Sequence, residues 1–147
     1  MAADPDRVLV PTLGRPREDE ALSYALETFP DADVTLLAVV TPLDAPLSEG
    51  GVLEREEERR AEARRRAEAL LESTDAIDED PTGQVEIDVL EGQPGTVIPR
   101  YANEEGIDHV VMRGHDRHTT GLVRRVLGRR IATTVVDRTP KPVTVLE

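Results

Sequence analysis

The chain has no cysteine and no tryptophan, and one phenylalanine with two tyrosines makes up its 2% of aromatic residues. Without cysteine, disulfides and thiolate metal sites are excluded. With so few rings, the core has to come from Val, Leu, Ile and Ala. Long hydrophobic runs are missing too: no segment approaches the roughly 20 apolar residues of a membrane span. The opening residues, MAADPDRVLV, lack the basic stretch and apolar run of a signal peptide. A soluble, cytoplasmic protein is expected. Lysine is nearly absent, Lys141 being the one lysine, so arginine supplies the rest of the 18 cations against 30 acids and a net charge of -12. A field of that sign disfavours nucleic acid and anionic membrane as partners. Acidic, lysine-poor chains suit a salt-rich cytoplasm, where screening weakens self-repulsion, and a halophilic source is expected.

What remains is enough for one domain spanning residues 1–147, with 38% apolar residues and no internal repeat. RVLVPT (Arg7 to Thr12) is a short β-branched run stopped by LGRP, a buried strand. PREDEALSYALETF repeats apolar residues at helical spacing, with Glu18, Asp19 and Glu20 assigned to its first turn, where acids favour the dipole. DVTLLAVV (Asp33 to Val40) is apolar almost throughout, as in a strand covered on both faces. VLEREEERRAEARRRAEALLEST is a charged helix with a narrow stripe of Ala63, Ala67 and Leu70. Its interleaved acids make RRAEARRR a solvated face rather than a nucleic-acid patch.

QVEIDVL (Gln84 to Leu90) alternates apolar and acidic residues, which predicts one wet face and a place at a sheet edge. EGQPGTVIPRYANEEG is a turn and a helix that Pro99 should kink or shorten. IDHVVM (Ile107 to Met112) is a further buried strand. A last helix carries Leu127, Ile131, Ala132, Val135 and Val136, and KPVTVLE closes the chain as a strand. Strands separated by helices run parallel, with right-handed crossovers and helices on both faces. The fold class is therefore α/β with an open parallel sheet. Ligands bind such sheets beyond the carboxyl ends of the strands, where strand order reverses. That places a candidate site at PTLGRP, after the first strand, and at MRGHDRHTTG, after the fourth.

The second of these loops opens MRGHDRHTTGLVRRVLGRR, with six arginines and two histidines against one aspartate in an acidic chain. One reading is a phosphate clamp of side chains: Arg129 and Arg130 at the start of the last helix, with Arg113, His115, Arg117 and His118 closing around an anion. The other is surface arginines pairing with acids elsewhere or in a dimer partner. His109, His115 and His118 lie near one strand end, but His115 and His118 share a loop with Arg113 and Arg117, whose charge repels a divalent cation, and no metal site is expected. His109, flanked by apolar residues, should point into the sheet or a helix contact. No Walker loop or Ser-His-Asp spacing is present, so no catalytic residue is assigned.

Three stretches, RVLVPTLG, EGQPGTVIPRYANEEGIDHVVMRG and TTGLVRRVLG with TPKPVTVLE, resemble the universal stress proteins over essentially the full chain. The resemblance implies five parallel strands in the order 3-2-1-4-5, the sheet shared with the adenine nucleotide α-hydrolases, and a homodimer through the last strand (Pro142 to Leu146). It also implies an ATP crevice, with magnesium if ATP is bound, lined at positions matching Pro11, Thr12, Val39, Met112 and Gly128, with His115 at the first loop glycine or Gly114 standing in for it. Three positions depart from the ATP-binding pattern. Leu13 stands where those members carry an acid, His118 at a loop glycine and Arg129 at a loop hydroxyl. The expected function is a non-enzymatic stress-response or regulatory protein with an altered nucleotide or phosphate crevice. The alternatives are a ligand-free dimeric interaction module and a slow ATP-hydrolysing enzyme.

Overall fold

The computed structural model describes residues 5–41, 52–74, 85–114 and 131–146, with side chains of the helix beginning at Val52 described from residue 57 onward. In chain order these form β1 (Arg7–Thr12), α1 (Asp19–Thr28), β2 (Asp33–Val40), α2 (Val52–Glu72), β3 (Val85–Glu91), α3 (Pro94–Glu104) and β4 (His109–Arg113). A helical segment α4 over 131–138 and the strand β5 (Val143–Leu146) complete the described residues. All strand pairs are parallel, in the order β3-β2-β1-β4-β5. From β1 the chain steps outward to β2 and β3, then returns to β4 on the other side, so strand order reverses between β1 and β4. The edge position expected for β3 from its alternation is observed. No helix among the described residues is long and apolar enough to cross a membrane.

Period-two alternation divides each central strand between two cores. Val8, Val10, Val34, Leu36, Ala38 and Val111 face α1 and α2, where Leu22, Ala25, Ala63 and Ala67 cover them. Leu9, Leu37, Val39, Val110 and Met112 face the other way, against Ile98 and Ala102 of α3 and Ala132 and Val135 of α4. Leu9, Leu37 and Ile98 are fully shielded from solvent, each contributing about 1.5–3 kcal/mol of transfer free energy. Ala63 and Ala67 are the buried residues of the inner stripe of α2, with Leu70 and Leu71 packed beside them, and the small side chains let that long, charged helix lie close on the sheet.

Two local readings are revised. α3 continues through Pro99 to Glu104. The ring removes one N–H, but Val97, Ile98 and Ala102 are buried against the sheet, and that packing carries the helix past it. β4 begins at His109 rather than Ile107, because the Ile107 N–H donates to the Ala102 carbonyl (2.9 Å) and still belongs to the end of α3. The amino ends of β1 and β4 are fastened together by Asp108, whose Oδ2 accepts the N–H groups of Asp6 (3.0 Å) and Arg7 (3.1 Å). His109 does contact a helix's end: its ring lies 4.9 Å from that of Phe29, and its Nε2 is 2.7 Å from Thr144 Oγ1.

Candidate functional site

Proline decides where the sheet opens. β1 pairs with β2 through its whole length, including Pro11 with Leu37 and Thr12 with Ala38. With β4 it pairs at Val8–His109 and Leu9–Val110, and Val10–Thr12 and Val111–Arg113 run on without that ladder. A central strand accommodates a residue without an N–H only where a neighbour does not need the donor. Pro11 therefore sits where the two strands part, at the carboxyl end of the sheet and at the point where strand order reverses.

Parity then sorts the predicted site residues. Leu13, Val39 and Met112, from the ends of three strands, join one apolar cluster on the α3–α4 side, with Leu90 and Ile131 beside them. Pro11 is buried and shares the strand parity of Leu9 and Leu13. Thr12 and Arg113 fall on the opposite face, beneath α1. There Arg113, with a side chain 5% exposed, places Nη1 2.6 Å from Glu20 Oε2. Glu20 is bridged in turn by Arg17 at 3.1 Å. The Arg113 guanidinium is thus engaged with α1 rather than turned toward the α3–α4 side. Gly114 is buried and donates its N–H to the Leu146 carbonyl (2.7 Å), tying the end of β4 to β5. His115, Arg117, His118, Gly128, Arg129 and Arg130 lie outside the described residues.

A hollow of about 340 Å³ opens on the same end of the molecule. Thr41 follows β2, Gln93 and Thr96 belong to the start of α3, and Ile131, Thr134 and Arg138 come from α4. Ile131 belongs to both the hollow and the Leu13–Val39–Met112 cluster, so an apolar floor borders a rim carrying an arginine and the positive end of α3. Gln93, the N-cap of α3, makes no side-chain cap. The helix macrodipole favours negative charge at that rim. A second cavity of about 330 Å³ lies at the amino ends, where Asp33, Glu86 and Glu105 oppose the single cation Arg7. Its charge is the wrong sign for a phosphate.

Sequence reasoning missed Glu18. It is not part of the first turn of α1 but its N-cap, 4% exposed, and its side chain turns back into the preceding loop. Glu18 Oε1 accepts from Thr12 Oγ1 (2.7 Å) and the Arg15 N–H (2.9 Å), and Oε2 accepts from the Leu13 N–H (2.7 Å). Burial raises its pKa above the usual 4.5, against the lowering effect of those hydrogen bonds and of the Arg15 charge. The available signal was an acid two residues after the proline of a Gly-Arg-Pro turn, where a carboxylate can collect loop N–H groups. Gly14 makes that turn possible with φ +78, and a Cβ there would stand 2.7 Å from Arg66 Nη1 of α2.

The family model described as the universal stress protein family matches residues 5–147. No curated protein matches the sequence significantly. Among solved structures, the universal stress protein UspA from Lactobacillus plantarum is 21% identical, with 99% of this chain and 100% of that one covered at a TM-score of 0.75. A universal stress protein in complex with cAMP is 18% identical, with 99% and 98% covered at a TM-score of 0.61. The universal stress protein from Archaeoglobus fulgidus in complex with dAMP is 15% identical, with 96% and 97% covered at a TM-score of 0.57. At these identities the likeness is one of fold.

Proposed function

This chain belongs to the universal stress protein family, and we propose that it is a non-enzymatic regulatory member whose crevice takes an adenine nucleotide or another phosphorylated ligand in an altered manner. The observation that carries the reading is the parting of β1 from β4 after Leu9 and Val110, with Leu13, Val39 and Met112 gathered on the ligand side of the opening. The adjoining hollow of about 340 Å³ is within the range of small-molecule sites. An apolar floor suits a base, and a rim with Arg138 and the start of α3 suits negative charge. The cAMP and dAMP complexes of structural neighbours support a nucleotide as the ligand class. The alteration is chemical. Leu13 offers no carboxylate to a sugar, and in the sequence His118 and Arg129 stand where ATP-binding members have a glycine and a hydroxyl.

The same reading places homodimerisation on β5, the edge strand at the end of the order. Its apolar Val143, Val145 and Leu146 are only half-buried within this chain. Mass spectrometry of the protein denatured after purification in high salt tests the proposal, with an adenine nucleotide or other phosphorylated compound expected in stoichiometric amount. Calorimetric titration with ATP complements it, and Arg129→Ala is expected to weaken binding about tenfold, the loss of one charge-assisted contact. Neither a copurified ligand nor heat of ATP binding would leave the interaction-module reading in its place. ATP turnover by the magnesium-loaded protein would overturn the non-enzymatic assignment.

A further inference from the structure

The hollow is lined by the end of β2, α3 and α4, and the loop after β1 adjoins it through the apolar cluster that Leu13 shares with Ile131; these parts differ in what they offer a ligand. The α3 and α4 side presents an arginine, two threonines and a helix start. The β1 side is a loop, Pro11 to Arg15, whose polar groups would ordinarily be free to read hydroxyls. Pro11 has no N–H to give. The Thr12 hydroxyl and the Leu13 and Arg15 N–H groups all donate to Glu18. What the loop presents toward the Val39–Met112 cluster is the Leu13 side chain.

From this we infer that Glu18 is a positioning residue for the ligand crevice: by gathering the Thr12, Leu13 and Arg15 donors to itself, it holds Leu13 as an apolar wall that touches the ligand without hydrogen bonding to it. The inference deepens the nucleotide reading above and rests on it. Its consequence is a specificity. A site that hydrogen-bonds a hydroxyl rejects the analogue lacking it by orders of magnitude, because its own polar groups are left unpaired. A wall whose Thr12, Leu13 and Arg15 donors are already taken up by Glu18 has little with which to make that distinction. Ribo- and deoxyribonucleotides of the same base and phosphate number are therefore taken alike.

Glu18 serves this role without capping α1 through its side chain. Its carbonyl accepts the N–H groups of Ala21 and Leu22, so the backbone begins the helix while the carboxylate organises the loop before it. Glutamine at this position keeps the shape but brings an NH2 group into a cage of donors. That change breaks the clamp with little loss of packing.

The test uses ATP and dATP as probes on the full chain, by calorimetry, with amide hydrogen exchange read in parallel. Wild type is expected to bind the two within about threefold of each other, since no sugar hydroxyl is read. Glu18→Gln is expected to weaken both by about tenfold or more as the wall loses its order, and to expose the Leu13 and Arg15 amides to exchange while β2 and β4 stay protected. A preference for ATP over dATP above about tenfold in wild type, or a folded Glu18→Gln protein with unchanged affinity and unchanged Leu13 and Arg15 protection, overturns the inference. Freely exchanging Leu13 and Arg15 amides in wild type overturn it without any variant. Failure of both nucleotides to bind wild type overturns the functional reading instead, whatever the amides show.

Discussion

Replacing Glu20 by alanine leaves the Arg113 guanidinium beneath α1 without its carboxylate partner, and the cost can be bounded from the geometry. Removing one member of a fully buried pair costs about 3–5 kcal/mol, mostly because the surviving charge stays out of water. Here the side chains are 5% exposed for Arg113 and 43% for Glu20, at 2.6 Å. Water can reach the vacated site, so about 2 kcal/mol is expected, near the low end of unpaired buried charges. For 147 residues that corresponds to a melting temperature about 6 °C lower. Arg113→Met removes the buried charge itself and leaves Glu20 bridged to Arg17, so it should cost less than about 1 kcal/mol. Asp19→Ala, another first-turn acid, measures the dipole share separately, about 0.5 kcal/mol. Urea denaturation of the three variants and of Glu20→Ala with Arg113→Met decides the matter. Adding Arg113→Met to Glu20→Ala should restore stability. If Arg113→Met alone is the costlier change, the argument from the stranded charge is wrong.

Two further outcomes follow from local geometry. At Gly92, φ is +151 and a Cβ would run into the Val97 side chain, so Gly92→Ala should destabilise the chain by about 2–4 kcal/mol from strain and overpacking together. Adding Val97→Ala should not restore it fully, because the backbone conformation remains unfavourable; full recovery in urea denaturation would contradict this. Burial lowers the His109 pKa below its usual 6.5. Between that lowered value and 6.5 the unfolded chain holds the extra proton, so the stabilising share from neutral His109 is present above 6.5 and is lost as pH falls through the folded value. The urea midpoint should therefore drop further from about pH 7.5 to about pH 5.5 in wild type than in His109→Gln, and equal drops would count against the assignment.

The strands were legible because burial on both faces writes itself as continuous apolar sequence. β2 is read directly from DVTLLAVV, and β3 from the acids that interrupt its alternation. The site was legible to the level of loops but not of side chains. Parity along β4 separates Met112 from Arg113, and the same count along β1 separates Leu13 from Thr12. Applied to the candidate residues, that rule would have turned Arg113 toward α1. Its partner could not have been named, since Glu20 lies 93 positions away and nothing local marks it. Glu18 was misplaced for a different reason. An acid at a helix start has two uses, stabilising the dipole and collecting loop N–H groups, and the one mark of the second was the Gly-Arg-Pro turn shortly before it. Pro11 is the case where the signal was present and unused. A proline in a run that otherwise reads as a central strand marks the point where one neighbour departs.

The most direct measurement is a titration of the isotope-labelled protein with ATP, followed by amide chemical shifts in solution. The account expects saturable shifts at Leu13, Val39, Met112 and Gly114, where β1 and β4 part, with Asp33, Glu86 and Glu105 at the opposite cavity unmoved. Shifts confined to that amino-end cavity, or a spectrum unchanged at millimolar ATP, would contradict it.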